Sequence, residues 1–164
     1  MMGEFAYRKI EMGESGSAES GQVLEQLLGL SKAWADEKCC PAYDPNDENE
    51  FQGKSIYAAF DGQNMIAFAM GHGKVLEEKT SYNSIGERAF ELDEIYVSKE
   101  YRNRGVGKAL YAFLEADVKD KVDLIALIAI SYRYKDLLDL YIDELGFDFR
   151  YALLVKRTGE EFSG

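Results

Sequence analysis

Residue types that commonly mark metal and nucleophile sites are scarce in this sequence. It contains one histidine, His72, and two cysteines, Cys39 and Cys40, which are adjacent. A single cysteine pair lacks the ligand spacing of a zinc site, and a bridge between adjacent cysteines would be strained. We therefore expect no bound metal, reduced cysteines that pack as small apolar side chains, and a structural or surface role for His72.

Positive charge is also in short supply. The chain has 19 Lys and Arg residues against 30 Asp and Glu residues, a formal net charge of -11. This charge repels nucleic acids and anionic membranes and attracts cationic partners. No apolar stretch reaches the roughly 18 residues of a membrane span, and the first residues lack the apolar run of a secretory signal. We expect a cytoplasmic protein that binds neither nucleic acid nor membrane.

Prolines are few, and none of them marks a linker between domains. Pro41 and Pro45 both fall in one acidic loop, and the sequence shows no internal repeat or low-complexity tract. A chain of 164 residues with 46% apolar residues can bury one ordinary core. We expect a single domain whose core extends from about residue 5 to residue 157.

The hydrophobic pattern predicts a strand and a helix, then an antiparallel meander, then two crossovers. The predicted strands are "FAYRKIEM", "SIYAAF", "MIAFAMGHG", "AFELDEIYV", "VDLIALIAIS" and "FDFRYALLVKR", and the predicted helices cover residues 23–34, residues 106–118 and "YKDLLDLYIDEL" up to Gly146. This order is typical of an α/β (α+β) domain with a mixed, mostly antiparallel twisted sheet and helices on both faces.

The segment "YRNRGVGKAL", residues 101–110, joins a predicted strand to a predicted helix. A glycine-rich turn before a helix points backbone N–H groups at an anion, and Arg102, Arg104 and Lys108 add side-chain cations. It matches neither the Walker phosphate loop nor the dinucleotide-binding glycine pattern. From these residues alone, both a phosphate site and a solvated turn remain open.

The pattern Arg-x-x-Gly-x-Gly, within "IYVSKEYRNRGVGKAL", resembles the acyl-coenzyme-A loop of the GNAT superfamily of N-acetyltransferases. The Val before the loop, the late "LYIDELGF" and the element order agree with that family. The resemblance implies that acetyl-coenzyme A is the co-substrate. It also implies direct transfer of the acetyl group to a primary amine through a tetrahedral intermediate.

The resemblance implies a continuous cofactor groove along the strand and the loop, with Tyr134 as a further contact. Its predicted cofactor residues are Ile95, Tyr96, Val97, Arg102, Asn103, Arg104, Gly105, Val106, Gly107, Lys108 and Tyr134. A backbone N–H near Val97 would stabilise the oxyanion.

Three acidic residues, Glu91, Asp93 and Glu94, are candidates for the general base. Glu91 is favoured because it stands six residues before Val97, as the base does in some relatives. Strand alternation predicts that Glu91 and Asp93 share the face of Val97 and that Glu94 lies on the opposite face. An acidic solvent-facing row is the alternative for all three.

A tyrosine on the last helix protonates the departing thiolate in many relatives, which indicates Tyr141 here. Tyr141 precedes Gly146 by five residues, whereas four is the common spacing, so Tyr134 is the second candidate and a core tyrosine the alternative. The resemblance also implies that the segment around residues 34–50 shapes the acceptor pocket.

That acceptor segment is acidic and aromatic, which suits a cationic amine such as an aminoglycoside-like aminosugar, a polyamine or a peptide or protein amine. The predicted substrate-binding residues are Trp34, Glu37, Tyr43 and Asp93. Acidic loops are also expected in any acidic protein. A non-catalytic acyl-coenzyme-A sensor and a homodimeric assembly both stay open.

Overall fold

The computed structural model describes residues 4–11 and 18–159. Its strands are β1 (Ala6–Ile10), β2 (Ser55–Asp61), β3 (Asn64–Val75), β4 (Arg88–Val97) and β5 (Leu124–Leu127), and its α-helices are α1 (Ala18–Glu37), α2 (Val106–Val118) and α3 (Tyr134–Leu138). Short 3-10 turns cover Glu48–Phe51 and Lys99–Tyr101, and a π-helical segment, Asp139–Glu144, continues α3. None of the described helices is long and apolar enough to cross a membrane.

The strands form one sheet in the order β1-β2-β3-β4-β5, in which only the β4–β5 pair is parallel. Helix α1 covers one face, where Leu27 packs in a buried cluster with Phe68. Helix α2 covers the other face, where Leu110 packs with Phe90. Each fully buried side chain of this size stabilises the fold by roughly 1.5–3 kcal/mol. The predicted mixed α/β sheet with helices on both faces is confirmed.

The C-terminal end differs from the sequence prediction. Strand β5 is only four residues long, and the predicted last strand "FDFRYALLVKR" is wrong, since residues 147–157 form no strand. Side chains such as Tyr151 and Leu153 are 69% and 87% exposed there. Apolar residues alone predicted this strand, but a strand also needs a neighbouring edge, and among the described residues none pairs with this segment.

A β-bulge interrupts the pairing of β3 with β4. Met70 pairs with Glu94 and Gly71 pairs with Leu92, so Asp93 is an extra residue in β4. The bulge reverses the alternation of side chains, because Leu92 packs against the same α2-side core as Val97. Glu91 therefore lies on the opposite face from Val97, and the prediction that these two residues share a face is wrong.

Gly71 is the residue that allows β4 to approach so closely at the bulge. A Cβ atom at this position would collide with the carbonyl oxygen of Glu91 and would lie 2.5 Å from Cε1 of the Phe90 ring. A Cβ atom on Gly73, two residues further on, would meet its nearest atom at 3.8 Å, an ordinary contact. The two glycines of "GHG" thus differ in what they tolerate.

We predict that Gly71→Ala lowers the free energy of unfolding by about 2 kcal/mol, in the usual range for overpacking, because the new methyl group must displace the β4 backbone or the Phe90 ring. Urea denaturation measures the effect. Gly73→Ala is the matched control and should change stability by less than about 0.5 kcal/mol. Equal stability of the two variants would contradict this account of the bulge.

Candidate active site

The loop predicted to bind an anion leads directly into helix α2. Asn103 and Gly105 adopt left-handed backbone conformations, with φ of 61° and 78°, which turn the chain so that α2 begins at Val106. The first intrahelical bond runs from Ala109 N–H to the Gly105 carbonyl. The N–H groups of residues 106–108 therefore have no intrahelical acceptor, and they project from the positive end of the helix dipole.

The basic side chains of the loop are placed in two different ways. Lys108 is exposed, and the Arg104 guanidinium lies 5.1 Å from the centre of the Phe5 ring and 5.2 Å from that of Tyr101. Arg102 instead points back under the loop toward the end of α1. Arg104 and Lys108 are thus the loop cations placed near solvent.

Arg102 forms a bidentate ion pair with Glu37, with both N···O distances at 2.7 Å, and its Nε donates to the Val97 carbonyl at 3.0 Å. The Arg102 guanidinium lowers the pKa of the Glu37 carboxyl. The structure therefore joins a predicted cofactor residue to a predicted acceptor residue. Either direct role stays a prediction and would require this pair to open.

Aromatic rings extend the contact between Arg102 and Glu37 toward the loop after α1. Trp34 lies between Tyr43 and Tyr96, with ring centres 4.4 Å and 5.3 Å away, and the Tyr96 hydroxyl donates to Glu37 at 2.5 Å. Both faces of the Trp34 ring are covered. Contact between Trp34 and an acceptor stays a prediction, and only the edge of the Trp34 ring could make that contact.

Strand β4 has an open backbone edge beyond its pairing with β5. That pairing runs from Ala89 to Leu92 and stops where the bulge begins. On the other side, Ser98 N–H donates to the Ile66 carbonyl at 2.8 Å. Hydrogen-bonded and non-bonded residue pairs alternate along an antiparallel ladder. The backbone N–H and carbonyl groups of Tyr96 therefore point toward β3, and those of Ile95 and Val97 point away from it.

Within the described part of the chain, only one contact falls on this open edge beyond Leu92: the Arg102 side chain on the Val97 carbonyl. The N–H groups of Ile95 and Val97 and the Ile95 carbonyl are thus left facing the gap. The edge leads toward the N-terminus of α2, and Gly107 lies against Val97. Donors and acceptors of the strand and the loop therefore form one continuous row.

Glu94 is held in a buried network on the α1 side of the sheet. Its carboxylate accepts from the Asn46 amide at 2.9 Å and from the Tyr43 hydroxyl at 2.8 Å, and Ser31 contacts both partners. Burial raises the pKa of Glu94, while these two hydrogen bonds oppose the rise. Glu94 therefore anchors the loop after α1, and its oxygen atoms already have partners.

Glu91 and Asp93 meet at His72, and we call these three residues the His72 cluster. The imidazole Nδ1 lies 2.9 Å from Asp93 Oδ2, and Nε2 lies 3.3 Å from Glu91 Oε2. Lys54 Nζ contacts Asp93 at 2.9 Å, and Lys74 Nζ contacts Glu91 at 2.6 Å. His72 was expected to be a structural or surface residue and not part of the site. The signal that could have included it is "GHG", whose first glycine permits the bulge.

Tyr141 and Tyr134 lie in different surroundings. Tyr134 is exposed at the rim of a shallow depression, whereas Tyr141 is buried against Phe147. Burial raises the pKa of Tyr141 to about 12, so its phenol keeps its proton at neutral pH. A hydrogen bond from Leu145 N–H to the carbonyl of Leu140, five residues back, makes this segment π-helical. That wider turn accommodates the extra residue between Tyr141 and Gly146.

The adjacent cysteines fasten the end of α1 to the segment after β5. The Cys39 carbonyl accepts from Tyr132 N–H at 2.9 Å, and both thiols are partly buried, with their sulfur atoms 3.8 Å apart. Burial raises the pKa of Cys40. These contacts hold the end of α1 against the chain that leaves β5.

Comparison with solved structures finds the same fold in acetyltransferases. The aminoglycoside N-acetyltransferase AAC(6')-Iy in complex with CoA aligns with a TM-score of 0.64 and 19% identity over 93% of this chain and 98% of that chain. A ribosomal-protein-alanine N-acetyltransferase from Brucella melitensis biovar Abortus 2308 aligns with a TM-score of 0.63 and 19% identity over 94% of this chain and 99% of that chain. The aminoglycoside acetyltransferase meta-AAC0020 from an uncultured soil metagenomic sample aligns with a TM-score of 0.65 and 13% identity over 96% of this chain and 97% of that chain.

No match was found among curated proteins. The family model for the acetyltransferase (GNAT) family matches residues 23–147 of this chain. That range begins within α1 and includes β4, the loop, α2 and the π-helical segment with Tyr141. The match covers well over half of the 164 residues, so the chain belongs to the GNAT family of acetyltransferases.

Proposed function

We propose that this protein transfers an acetyl group from acetyl-coenzyme A to a primary amine of a cationic acceptor. The observation that carries the proposal is the open edge of β4 running into the N-terminus of α2. Strand N–H and carbonyl groups can bond amides, and helix N–H groups can bond phosphate. AAC(6')-Iy, which has the same fold, is seen with CoA and with a CoA-linked bisubstrate analogue.

The residues present fit acetyl-coenzyme A. The N–H groups of residues 106–108 and the side chains of Arg104 and Lys108 suit a pyrophosphate, and the edge at Ile95 and Val97 suits the pantetheine amides. A Cβ atom on Gly107 would lie 3.4 Å from Val97 Cγ2, so a larger side chain would fill the junction of strand and loop. When bound, acetyl-coenzyme A supplies an activated acetyl thioester.

The free N–H groups of Ile95 and Val97 are the candidates for oxyanion stabilisation. Each such donor is typically worth about 3–4 kcal/mol in the transition state, because it is already oriented. Tyr141 keeps its proton at neutral pH and is the candidate donor to the departing thiolate.

Glu91 is the proposed base. It stands four residues from Ile95, about 13 Å along the strand, so a chain of water molecules would carry the proton between the amine and the carboxylate. The bulge places Glu91 on the α1 side of the sheet, with the acceptor segment. This placement supports the assignment better than strand alternation alone did.

The acceptor is a cationic amine on the α1 side of the sheet. Exposed acidic residues of the loop after α1 face solvent there: Asp44, Asp47, Glu48 and Glu50. Aminoglycoside-like aminosugars, polyamines and peptide or protein amines all match this charge. Two of these acceptor classes appear in the names of enzymes with this fold, an aminoglycoside N-acetyltransferase and a ribosomal-protein-alanine N-acetyltransferase. We infer that residues 1–164 form one such catalytic domain, with its core from about residue 5 to residue 157.

A non-catalytic acyl-coenzyme-A sensor is the second candidate. It is favoured by one observation: the proposed base already has an ammonium partner, Lys74, at 2.6 Å. A sensor would bind acetyl-coenzyme A in the same groove and release no free thiol with any amine. Turnover therefore separates the two functions.

We predict that acetyl-coenzyme A at 100 times its dissociation constant raises the free energy of unfolding by about 2.7 kcal/mol and that Gly107→Val abolishes this increase. The valine would fill the space between the loop and Val97. Thermal or urea unfolding with and without acetyl-coenzyme A measures the increase in the free energy of unfolding. Gly29→Val, at an exposed position within α1 with open space around it, is the control and should keep the full ligand effect. A full ligand effect in Gly107→Val would rule out this groove.

We predict that Tyr141→Phe lowers kcat by about 100-fold or more, within the usual contribution of general acid catalysis, and leaves acetyl-coenzyme A affinity unchanged. Free-thiol release with a panel of aminosugars, polyamines and peptides gives kcat. Tyr151→Phe serves as the control and should retain wild-type kcat, since that ring is exposed and has no assigned role. A Tyr141→Phe enzyme with unchanged kcat would remove Tyr141 from the chemistry.

A further inference from the structure

We propose that His72 is a positioning residue for the acetyl-acceptor chemistry: it holds Glu91 in place and takes the proton that Glu91 removes from the amine. This inference rests on the proposed function. It assigns a role to the single histidine of the chain, which neither the resemblance nor the family match provides. The geometry of the His72 cluster supports this role.

The register of the sheet places His72 directly opposite Glu91 in neighbouring strands. The bulged residue, Asp93, brings its carboxylate to the other ring nitrogen. The side chains of His72, Glu91 and Asp93 are 31%, 34% and 28% exposed, so an acceptor can reach them from solvent. Asp93 also follows Leu92, the last residue paired with β5, so the cluster lies where the open edge of β4 begins.

Stability alone gives little reason for this arrangement. Partly exposed ion pairs contribute roughly 0–1 kcal/mol each, whereas the bulge demands a glycine at residue 71. Bulges commonly re-aim side chains beside active sites. The bulge here turns Glu91 toward the α1 side and brings both carboxylates to one imidazole.

The proton balance at His72 follows from its two contacts. The relay uses the tautomer in which Nδ1–H donates to Asp93 at 2.9 Å, so that Nε2, 3.3 Å from Glu91 Oε2, can accept a proton from Glu91. When the N–H bond of the acceptor ammonium breaks, the proton passes along a chain of water molecules and an O–H bond forms on Glu91. That O–H then donates to Nε2, and proton transfer gives an imidazolium, which loses its proton to solvent.

A divalent metal ion is the competing occupant of this cluster. One ligand atom from each of the three residues lies within 4.8 Å of the others. However, Lys54 Nζ lies 2.9 Å from Asp93 and 3.4 Å from His72 Nδ1, and Lys74 Nζ lies 2.6 Å from Glu91. These ammonium groups already supply the positive charge, so the geometry favours the proton role, and metal binding becomes an outcome of the test.

The kinetic test compares His72→Gln and His72→Ala with Asp123→Asn, which breaks an exposed ion pair with Arg88 of β4, outside the His72 cluster. Both His72 variants should lose about 10- to 100-fold in kcat and change its pH profile, with unchanged KM for acetyl-coenzyme A. Asp123→Asn should match wild type. Full rescue by glutamine, which can hold Glu91 by a hydrogen bond but cannot carry the proton, would overturn the proton role. Wild-type kcat in both variants would overturn the whole inference.

A second readout does not need turnover. Because His72 is the only histidine, a tag-free protein gives one imidazole Cε1–H NMR signal. At pH 7 this signal should move in Glu91→Gln and stay in place in Asp123→Asn. An unmoved signal in Glu91→Gln would overturn the contact. Stoichiometric replacement of the signal by a shifted one with added ZnCl2, together with zinc-dependent turnover, would replace the proposal by a metal site. Absence of thiol release with every amine would overturn the proposed function and, with it, the catalytic role of His72, whatever the NMR signal shows.

Discussion

The insertion of Asp93 into β4 determines how the two halves of the site relate. Before the bulge, β4 pairs on both sides and sends Phe90 and Leu92 into the core under α2. After the bulge, β3 is the only strand among the described residues that pairs with β4, and the other edge of β4 is open to them. The same extra residue reverses the side-chain alternation, which carries Glu91 to the α1 side. The backbone donors and the carboxylates that we propose for the acetyl donor and the acceptor thus arise at one irregularity, which is possible because residue 71 is glycine.

A second constraint fixes the loop relative to the strand. Arg102 bonds the Val97 carbonyl and Glu37 at the end of α1, and Tyr96 lies below its guanidinium with the ring centre 5.4 Å away. Trp34 continues the stack into the acceptor segment. This layered contact joins helix, strand and loop, so it fixes the start of α2 relative to the end of β4. The conformation of the loop is consequently set before any ligand arrives.

Much of the fold could be predicted from the sequence because local patterns encode it. The hairpin at "DGQN", the helix from Val106 and the left-handed Gly146 follow from turn chemistry and helical periodicity. The absent last strand could not be predicted, since apolar residues indicate a strand without showing that an edge is free to pair. The face of Glu91 could not be predicted either, because alternation holds only without a bulge, and a bulge depends on contacts between strands.

The loop residues were identifiable from their spacing, but their partners were not. Arg102 and Lys108 read alike as cations, and only the fold shows that Arg102 is paired with Glu37, 65 residues earlier in the chain. In the same way, the five-residue spacing of Tyr141 from Gly146 read as an irregularity until the π-helical turn accounted for it. Long-range pairing and helix type depend on tertiary contacts that one sequence does not display.

The central claim is that the β4 edge is open in the free protein and is covered by acetyl-coenzyme A. Amide hydrogen exchange, followed residue by residue by NMR, tests it most directly. In the free protein, the amides of Glu94 and Tyr96 should be protected and those of Ile95 and Val97 should exchange fast. Added acetyl-coenzyme A should then protect Ile95 and Val97. Equal protection of all four amides without ligand, or no added protection with it, would contradict the account.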